Sequence, residues 1–273
     1  MIKIQHAVED DSFFSSTTLS KEQETIFQAL VKEKQMYSYE TKQQLQFELL
    51  VRERILQASV QLAKSAARFT IFQFSRCNEQ YWQRNRLGGF ELRRGGSPSA
   101  AINDIFVNSQ LYAFECATAI VIIFYKAVLD TIKREIFDEL FDDLLLYDWH
   151  TDKDLNIQTK KGDDYIPGDC LYFKNPDVDP SMPQWQGENT IYLGNGLYYG
   201  HGIGIKSKEE VIAALNKRRK PAANQSAYLM TQTTRIDFRY LSTFAGSIEQ
   251  SSLSVERKKI IVGAIGSSTF LYR

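Results

Sequence analysis

The chain has 273 residues, 43% of them apolar, with 33 Lys and Arg balanced by 33 Asp and Glu. That is ample material for a large packed core without staples. The charge balance excludes a global field that would draw in nucleic acid or an anionic membrane, so no nucleic-acid or membrane partner is expected. The three cysteines, Cys77, Cys116 and Cys170, are odd in number and follow no metal-ligand spacing, which fits a reducing compartment. The opening run to Asp11 carries no apolar secretory core and turns acidic early, so synthesis in the cytosol is expected. The longest apolar stretch, Ala117 to Tyr125, is far shorter than the roughly 20 residues of a membrane-spanning helix.

Ser20-Lys21-Glu22-Gln23 is a capping-box pattern that predicts a helix to about Gln35, and a longer helix follows from about Thr41. Leu45, Leu49, Leu56, Val60, Ala63 and Ala67 recur at helical spacing, placing Arg52, Glu53 and Arg54 nearer the solvent side. Trp82 to Leu92 reads as a hairpin turning at Gly88-Gly89, and Ser97-Pro98 opens another helix. A helix containing Cys116 comes next. Past Leu144 the period becomes strand-like: Leu144 to Trp149 and Cys170 to Phe173 are predicted strands, the second announced by Pro167-Gly168. Ile191 to Leu193 and Leu197 to Tyr199 flank Gly194-Asn195-Gly196, a strong hairpin signal, with His201 to Ile205 extending the second strand. Ser207-Lys208-Glu209-Glu210 is a second capping box, and its helix ends in Lys217-Arg218-Arg219-Lys220, cations that complement a helix C-terminus. No repeat or flexible linker divides the chain, and the Ser-rich residues after Ala245 have weak periodicity.

Cys116 stands where small and aromatic residues give way to an apolar helical run, a helix start whose N–H groups and positive dipole end favour thiolate. Taken alone, a cysteine among Ile and Val is more often a structural core residue. A thiol nucleophile needs a base, and only three histidines are present. His6 lies in the terminus, His150 follows Trp149 at a strand end, and His201 sits between Gly200 and Gly202, where another group can approach closely. By residue type, His201 fits equally a strand histidine satisfied by a carbonyl.

The segment Glu188 to His201, preceded by Pro167-Gly168-Asp169-Cys170-Leu171-Tyr172-Phe173 and an upstream Cys helix, resembles the papain-like cell-wall peptidases of the NlpC type. There the strand ending in Gly-Asn-Gly starts with His; here that position holds Glu188, which suggests a Cys–Glu pairing. A closer resemblance, from about Phe47 to Thr234, is to the bacterial spore-coat transglutaminases. It is carried by Tyr112-Ala113-Phe114-Glu115-Cys116-Ala117-Thr118, Leu146-Tyr147-Asp148-Trp149-His150, Gly168 to Pro176, Gln184-Trp185 with Gly187-Glu188-Asn189, and Gln225-Ser226-Ala227-Tyr228-Leu229.

This resemblance implies an α+β, papain-like core with a Cys-bearing helix packed on a small antiparallel sheet and surrounded by further helices. It implies one catalytic domain over residues 1–245 and a C-terminal extension, 246–273, without assigned role. The implied reaction transfers the γ-glutamyl group of a protein glutamine to a lysine amine through a Cys116 thioester, releasing ammonia. Glu188 is then the principal base, His201 polarises or orients it, Glu115 shares the role, and an oxyanion forms beside backbone N–H groups at the helix start. Transfer must outrun hydrolysis, so a dry aromatic cleft is expected, with Trp149, Trp185, Tyr172 and Phe69 as its candidate walls. No calcium-loop pattern occurs and no cofactor is expected; Asp177-Val178-Asp179-Pro180 and Asp163-Asp164 read as turn acids. The implied partners are glutamine- and lysine-bearing spore coat proteins, met by a monomer in the mother-cell cytoplasm and then on the spore coat. Two other functions fit such a core: a cysteine peptidase or amidase of cell-wall peptides, and a non-catalytic coat scaffold.

Overall fold

The computed structural model describes residues 1–5 and 19–246, together with strands Ile261–Ile265 and Ser268–Tyr272. His6 and the Ser-rich segment beyond Gly246 lie outside the described residues. Packing divides the chain into two units, Met1–Glu53 with Phe238–Arg273, and Arg54–Asp237.

In the first unit, strand β1 (Ile2–Ile4) pairs in parallel with β2 (Tyr37–Tyr39). On its other edge it pairs antiparallel with Ser268–Tyr272, which in turn pairs with Ile261–Ile265. Helix α1 (Lys21–Lys32) begins at the predicted capping box: the Ser20 hydroxyl accepts from the Gln23 N–H, and the Gln23 side chain accepts from the Ser20 N–H. It buries Ile26, Phe27, Leu30 and Val31.

Helix α2 (Lys42–Lys64) departs from the expected stripe. Arg52 and Glu53 are buried, while Leu56, Val60 and Ala63 are only half-buried. Specific partners reverse the outcome that charge predicts. Arg52 Nε donates to Glu48 Oε1 at 2.8 Å and the guanidinium lies 4.7 Å over the Phe238 ring, while Ser20 and Gln23 donate to Glu53.

The second unit carries β3 (Arg68–Phe69), the hairpin β4 (Trp82–Arg84) and β5 (Phe90–Leu92), and helix α3 (Pro98–Val107), whose N-cap is Ser97. Strand β6 (Ala113–Phe114) pairs in parallel with β3 and leads into α4 (Cys116–Leu129), in which every residue except Lys126 is buried. Helix α5 (Arg134–Leu140) packs against both α3 and α4. The strand expected over Leu144 to Trp149 shrinks to β7 (Leu145–Leu146), because Asp148 takes a left-handed φ of 50° and turns the chain.

The remaining strands form one antiparallel sheet: β8 (Gln158–Lys161), β9 (Cys170–Lys174), β10 (Gly187–Gly194), β11 (Leu197–Gly200), β12 (Gly204–Ser207), β13 (Tyr228–Leu229) and β14 (Gln232–Arg235). Their order is β12-β11-β10-β9-β14-β8, with β13 also on β9. Asn195 and Gly196, at φ 51° and 74°, make the tight turn between β10 and β11. The second capping box holds: Ser207 and Glu210 cap helix α6 (Lys208–Asn216) reciprocally, and the basic residues follow its last turn.

Helix α4 packs on β10, so the Cys-bearing helix on an antiparallel sheet is the arrangement observed. The Pro-Gly-Asp turn leading into β9 is pinned by Asp169, which is fully buried and accepts from Arg235 Nε and Nη2, both at 2.7 Å, and from the Ile166 N–H.

Candidate active site

Cys116 opens α4, and the residue before it caps the helix. Glu115 is extended (φ −92°, ψ 178°), and its carboxylate accepts from the N–H groups of Ala117 at 2.9 Å and Thr118 at 2.7 Å, and from the Thr118 hydroxyl at 3.0 Å. Two of the N–H groups at the helix start, those of Ala117 and Thr118, are therefore taken by the chain's own carboxylate, which also offsets the positive helix end. Burial raises the Cys116 thiol well above its ordinary value, and the charges of Glu188 and Glu115 push the same way. These influences oppose the thiolate expected from its position at a helix start.

Strand β10 supplies the partners. Asn189 Nδ2 donates to Cys116 Sγ at 3.5 Å, and Asn189, through backbone and side chain alike, opposes the upward shift of the thiol. Glu188 is fully buried, with Oε1 accepting from the Gly202 N–H at 3.1 Å and Oε2 buried without a hydrogen-bond partner. Burial pushes its carboxyl up to about 8, and the Glu115 charge adds to this against the Gly202 N–H and Arg218. Such a carboxyl can exchange a proton near neutrality, the property expected of the base.

His201 does not extend β11. It begins a turn over residues 201–203, after which β12 returns antiparallel to β11. Its ring stacks on Phe114 (centroids 4.5 Å, planes 18° apart), and Nδ1 lies 3.1 Å from the Tyr199 hydroxyl. Burial lowers its pKa to about 4, so the imidazole is neutral at pH 7. The hydrogen bond to Glu188 comes from the next residue's backbone, Gly202 N–H. Two glycines make room for this: a Cβ on Gly200 would stand 2.6 Å from Glu188 Oε1, and one on Gly202 would stand 2.9 Å from the Trp185 ring.

Three of the four predicted wall residues gather here. Phe69 lies 5.0 Å from Trp185 and 6.3 Å from His201, ring to ring, and Trp185 is covered by the Arg218 guanidinium at 3.7 Å. Tyr172 lies opposite Asn189 in the β9–β10 register; burial pushes its phenol up to about 12, with the charges of Cys116 and Glu188 adding. Trp149 is exposed on the turn after β7, tied to the site through its neighbour Asp148, whose N–H donates to the Thr118 hydroxyl at 3.1 Å. His150 on the same turn is exposed.

Sequence reasoning passed over Asn189, Phe114, Tyr199 and the Gly202 N–H. Asn189, Phe114 and Tyr199 sat inside the quoted motifs; Tyr199 acts through its hydroxyl beside His201 Nδ1 and Gly202 through a backbone turn, neither of which a spacing rule announces.

Among the described residues, no group of three or more His, Cys, Asp or Glu side chains converges as metal ligands would. Asp177 instead accepts from the N–H groups of Asn224 and Gln225 and pairs with Lys220 at 2.9 Å, and Asp179 accepts from Ser181.

A thiol, a titratable buried carboxyl, an amide donor and an aromatic surround suit acyl transfer through a thioester. Comparison with known proteins points the same way. The family described as TGL, protein-glutamine gamma-glutamyltransferase, matches residues 1–245. Protein-glutamine gamma-glutamyltransferases of Bacillus cereus (strain B4264) and Bacillus anthracis are each 48% identical over 254 residues, 92% of this chain and 92% of theirs. A transglutaminase from Geobacillus stearothermophilus, solved without its C-terminal extension, superposes with a TM-score of 0.73 at 66% identity, covering 76% of this chain and 99% of that one.

Proposed function

The chain belongs to the protein-glutamine gamma-glutamyltransferase family, and on that premise we propose that Cys116 is its nucleophile and Glu188 its principal base. Glu188 takes the thiol proton as sulfur attacks the γ-carboxamide carbon of a protein glutamine. The tetrahedral intermediate collapses, and the proton on Glu188 passes to the departing nitrogen, which leaves as ammonia. The product is a thioester on Cys116. A neutral lysine ε-amine then attacks the thioester carbon and gives a proton to Glu188. The C–S bond breaks, the thiol is restored from Glu188, and an isopeptide remains. Asn189 steadies the transient thiolate through its carboxamide. His201 positions the turn that carries Gly202, and Glu115 holds the helix start and sets the electrostatic level of the pair. Phe69, Trp185 and Tyr172 exclude water from the thioester, with Trp149 at the outer edge.

The observation that carries this reading is the fully buried Glu188 carboxyl, raised to about 8 and electrostatically coupled to a buried thiol. A base poised there works without a metal, so the reaction is read as calcium-independent. The resemblance to the spore-coat enzymes supports coat proteins as substrates, a monomer as the working form, and a course from the mother-cell cytoplasm to the spore coat. It also supports residues 1–245 as the catalytic part, with 246–273 as an extension.

The test is incorporation of a fluorescent primary amine into a glutamine-bearing protein, with and without a chelator. Incorporation that survives the chelator and is lost in Cys116→Ala and Glu188→Gln is expected. Peptidoglycan cleavage without incorporation would favour the peptidase, and no thiol-dependent reaction with either substrate would favour the scaffold.

A further inference from the structure

We propose that the arginine-lined groove over β3 and β6 receives the glutamine-bearing protein through an acidic segment flanking the reactive glutamine. This rests on Cys116 being the acyl-accepting thiol. The groove encloses about 650 Å³, and its walls include Arg68, Phe69, Phe74, Arg76, Arg84 and Ala113. Its floor adjoins the site along the chain. Ala113 is bridged by the backbone of Arg76 on one side and by Arg68 on the other, and β6 ends at Phe114, one residue before the helix cap Glu115 and two before Cys116. Phe69 belongs to both places, touching the groove and the Trp185–His201 cluster.

The walls also state what they would bind. Arg68 and Arg76 are exposed and form no ion pair among the described residues. Arg84 is exposed as well and donates to the carbonyls of Phe72, Gln73 and Ser75, all at 2.9 Å, so it braces the loop while adding a third positive charge. Phe74, 62% exposed, offers an apolar contact beside them. In a chain of balanced total charge, this local excess selects carboxylates. It disfavours the approach of a lysine ammonium, which assigns this side to the acyl donor.

The test compares glutamine peptides of equal length whose flanking residues are acidic, uncharged or basic, with a fluorescent primary amine as acceptor. For the unaltered chain at low ionic strength, kcat/KM for the acidic peptide should exceed that for the basic one about tenfold, carried mainly by KM, as two rim charge pairs provide. That ratio should fall toward one as salt screens the groove. In Arg68→Glu/Arg76→Glu the order of the acidic and basic peptides should invert. Equal kcat/KM for acidic and basic peptides in the unaltered chain, with the uncharged peptide turned over, would overturn the groove assignment alone. Failure to turn over any of the three would overturn the Cys116 reading with it. Because the salt dependence is measured on the unaltered chain, a double variant that does not fold leaves the proposal open to refutation.

Discussion

Replacing Glu188 by Gln should make the protein more stable as it makes it inactive, and the gain should depend on pH. The carboxyl titrates near 4.5 in an unfolded chain and at about 8 in the folded one. Below pH 4.5 both states hold the proton and the group costs nothing. As pH rises, the unfolded chain releases the proton while the folded chain keeps it, so folding stability falls steadily until pH passes the folded value. The gap corresponds to roughly 5 kcal/mol above pH 8 and roughly 3 kcal/mol at pH 7, because each tenfold step is worth about 1.4 kcal/mol. A glutamine has no such proton to keep. Its own burial beside the Gly202 N–H adds an offset that is the same at every pH.

The assay is thermal unfolding of both proteins from pH 5 to pH 9. At about 2 to 4 °C per kcal/mol for a folding unit of this size, the difference in Tm should grow in favour of Glu188→Gln by about 10 °C or more across the range. Groups common to both proteins cancel in the difference. A difference in Tm that stays constant from pH 5 to pH 9 would show that Glu188 is ionised throughout, and the assignment of the base would fall with it.

Other consequences can be checked one by one. Cys116 should be alkylated slowly by iodoacetamide at pH 7, read by peptide mass spectrometry so that Cys77 and Cys170 are separated, and Glu115→Gln should speed this several-fold while costing about 1 kcal/mol of stability as one cap is weakened. Gly200→Ala should lower kcat/KM at least tenfold and cost about 1 to 3 kcal/mol in unfolding, since its methyl group meets Glu188 and Ile203. Arg235→Met removes the guanidinium from the fully buried Asp169 and should cost about 3 to 5 kcal/mol in denaturant unfolding at pH 7. The rate of amine incorporation should rise with pH through about 8 and show no step near 6.5, because His201 stays neutral there.

What could be read beforehand was whatever is encoded locally. Ser20, Ser97 and Ser207 cap helices because a hydroxyl reaches an N–H three residues on, and Asn195-Gly196 turns a hairpin because both tolerate positive φ. Glu188 stood out because it occupied a strand position where chemistry was expected. Burial against distant partners was not legible. Arg52 is inside because Glu48 and Phe238 receive it, and Phe238 is 186 residues away in sequence. His201 was misplaced on a strand for the same reason: Gly200, Gly202 and Gly204 permit a turn, but only the Trp185 ring and the Glu188 carboxylate beside them require one.

The thiol's environment was hidden by a conflict between two sound local rules. A cysteine at a helix start should be acidic, and a glutamate just before the start should cap the helix. When both occur in succession, the cap wins, because Glu115 is fixed on the N–H groups of Ala117 and Thr118 while Cys116 is left with two nearby carboxylates and little water. A sulfur that is protonated at rest is a weak target for stray oxidants and electrophiles, since thiolate is the reactive form. In the proposed reaction its ionisation requires Glu188 to be free of its proton, with Asn189 Nδ2 donating to the sulfur. In that proposed reaction the same carboxylate accepts a proton again from an incoming amine. A base near 8 suits that second step better than an ordinary carboxylate would, because it removes a proton from an attacking amine with less uphill cost.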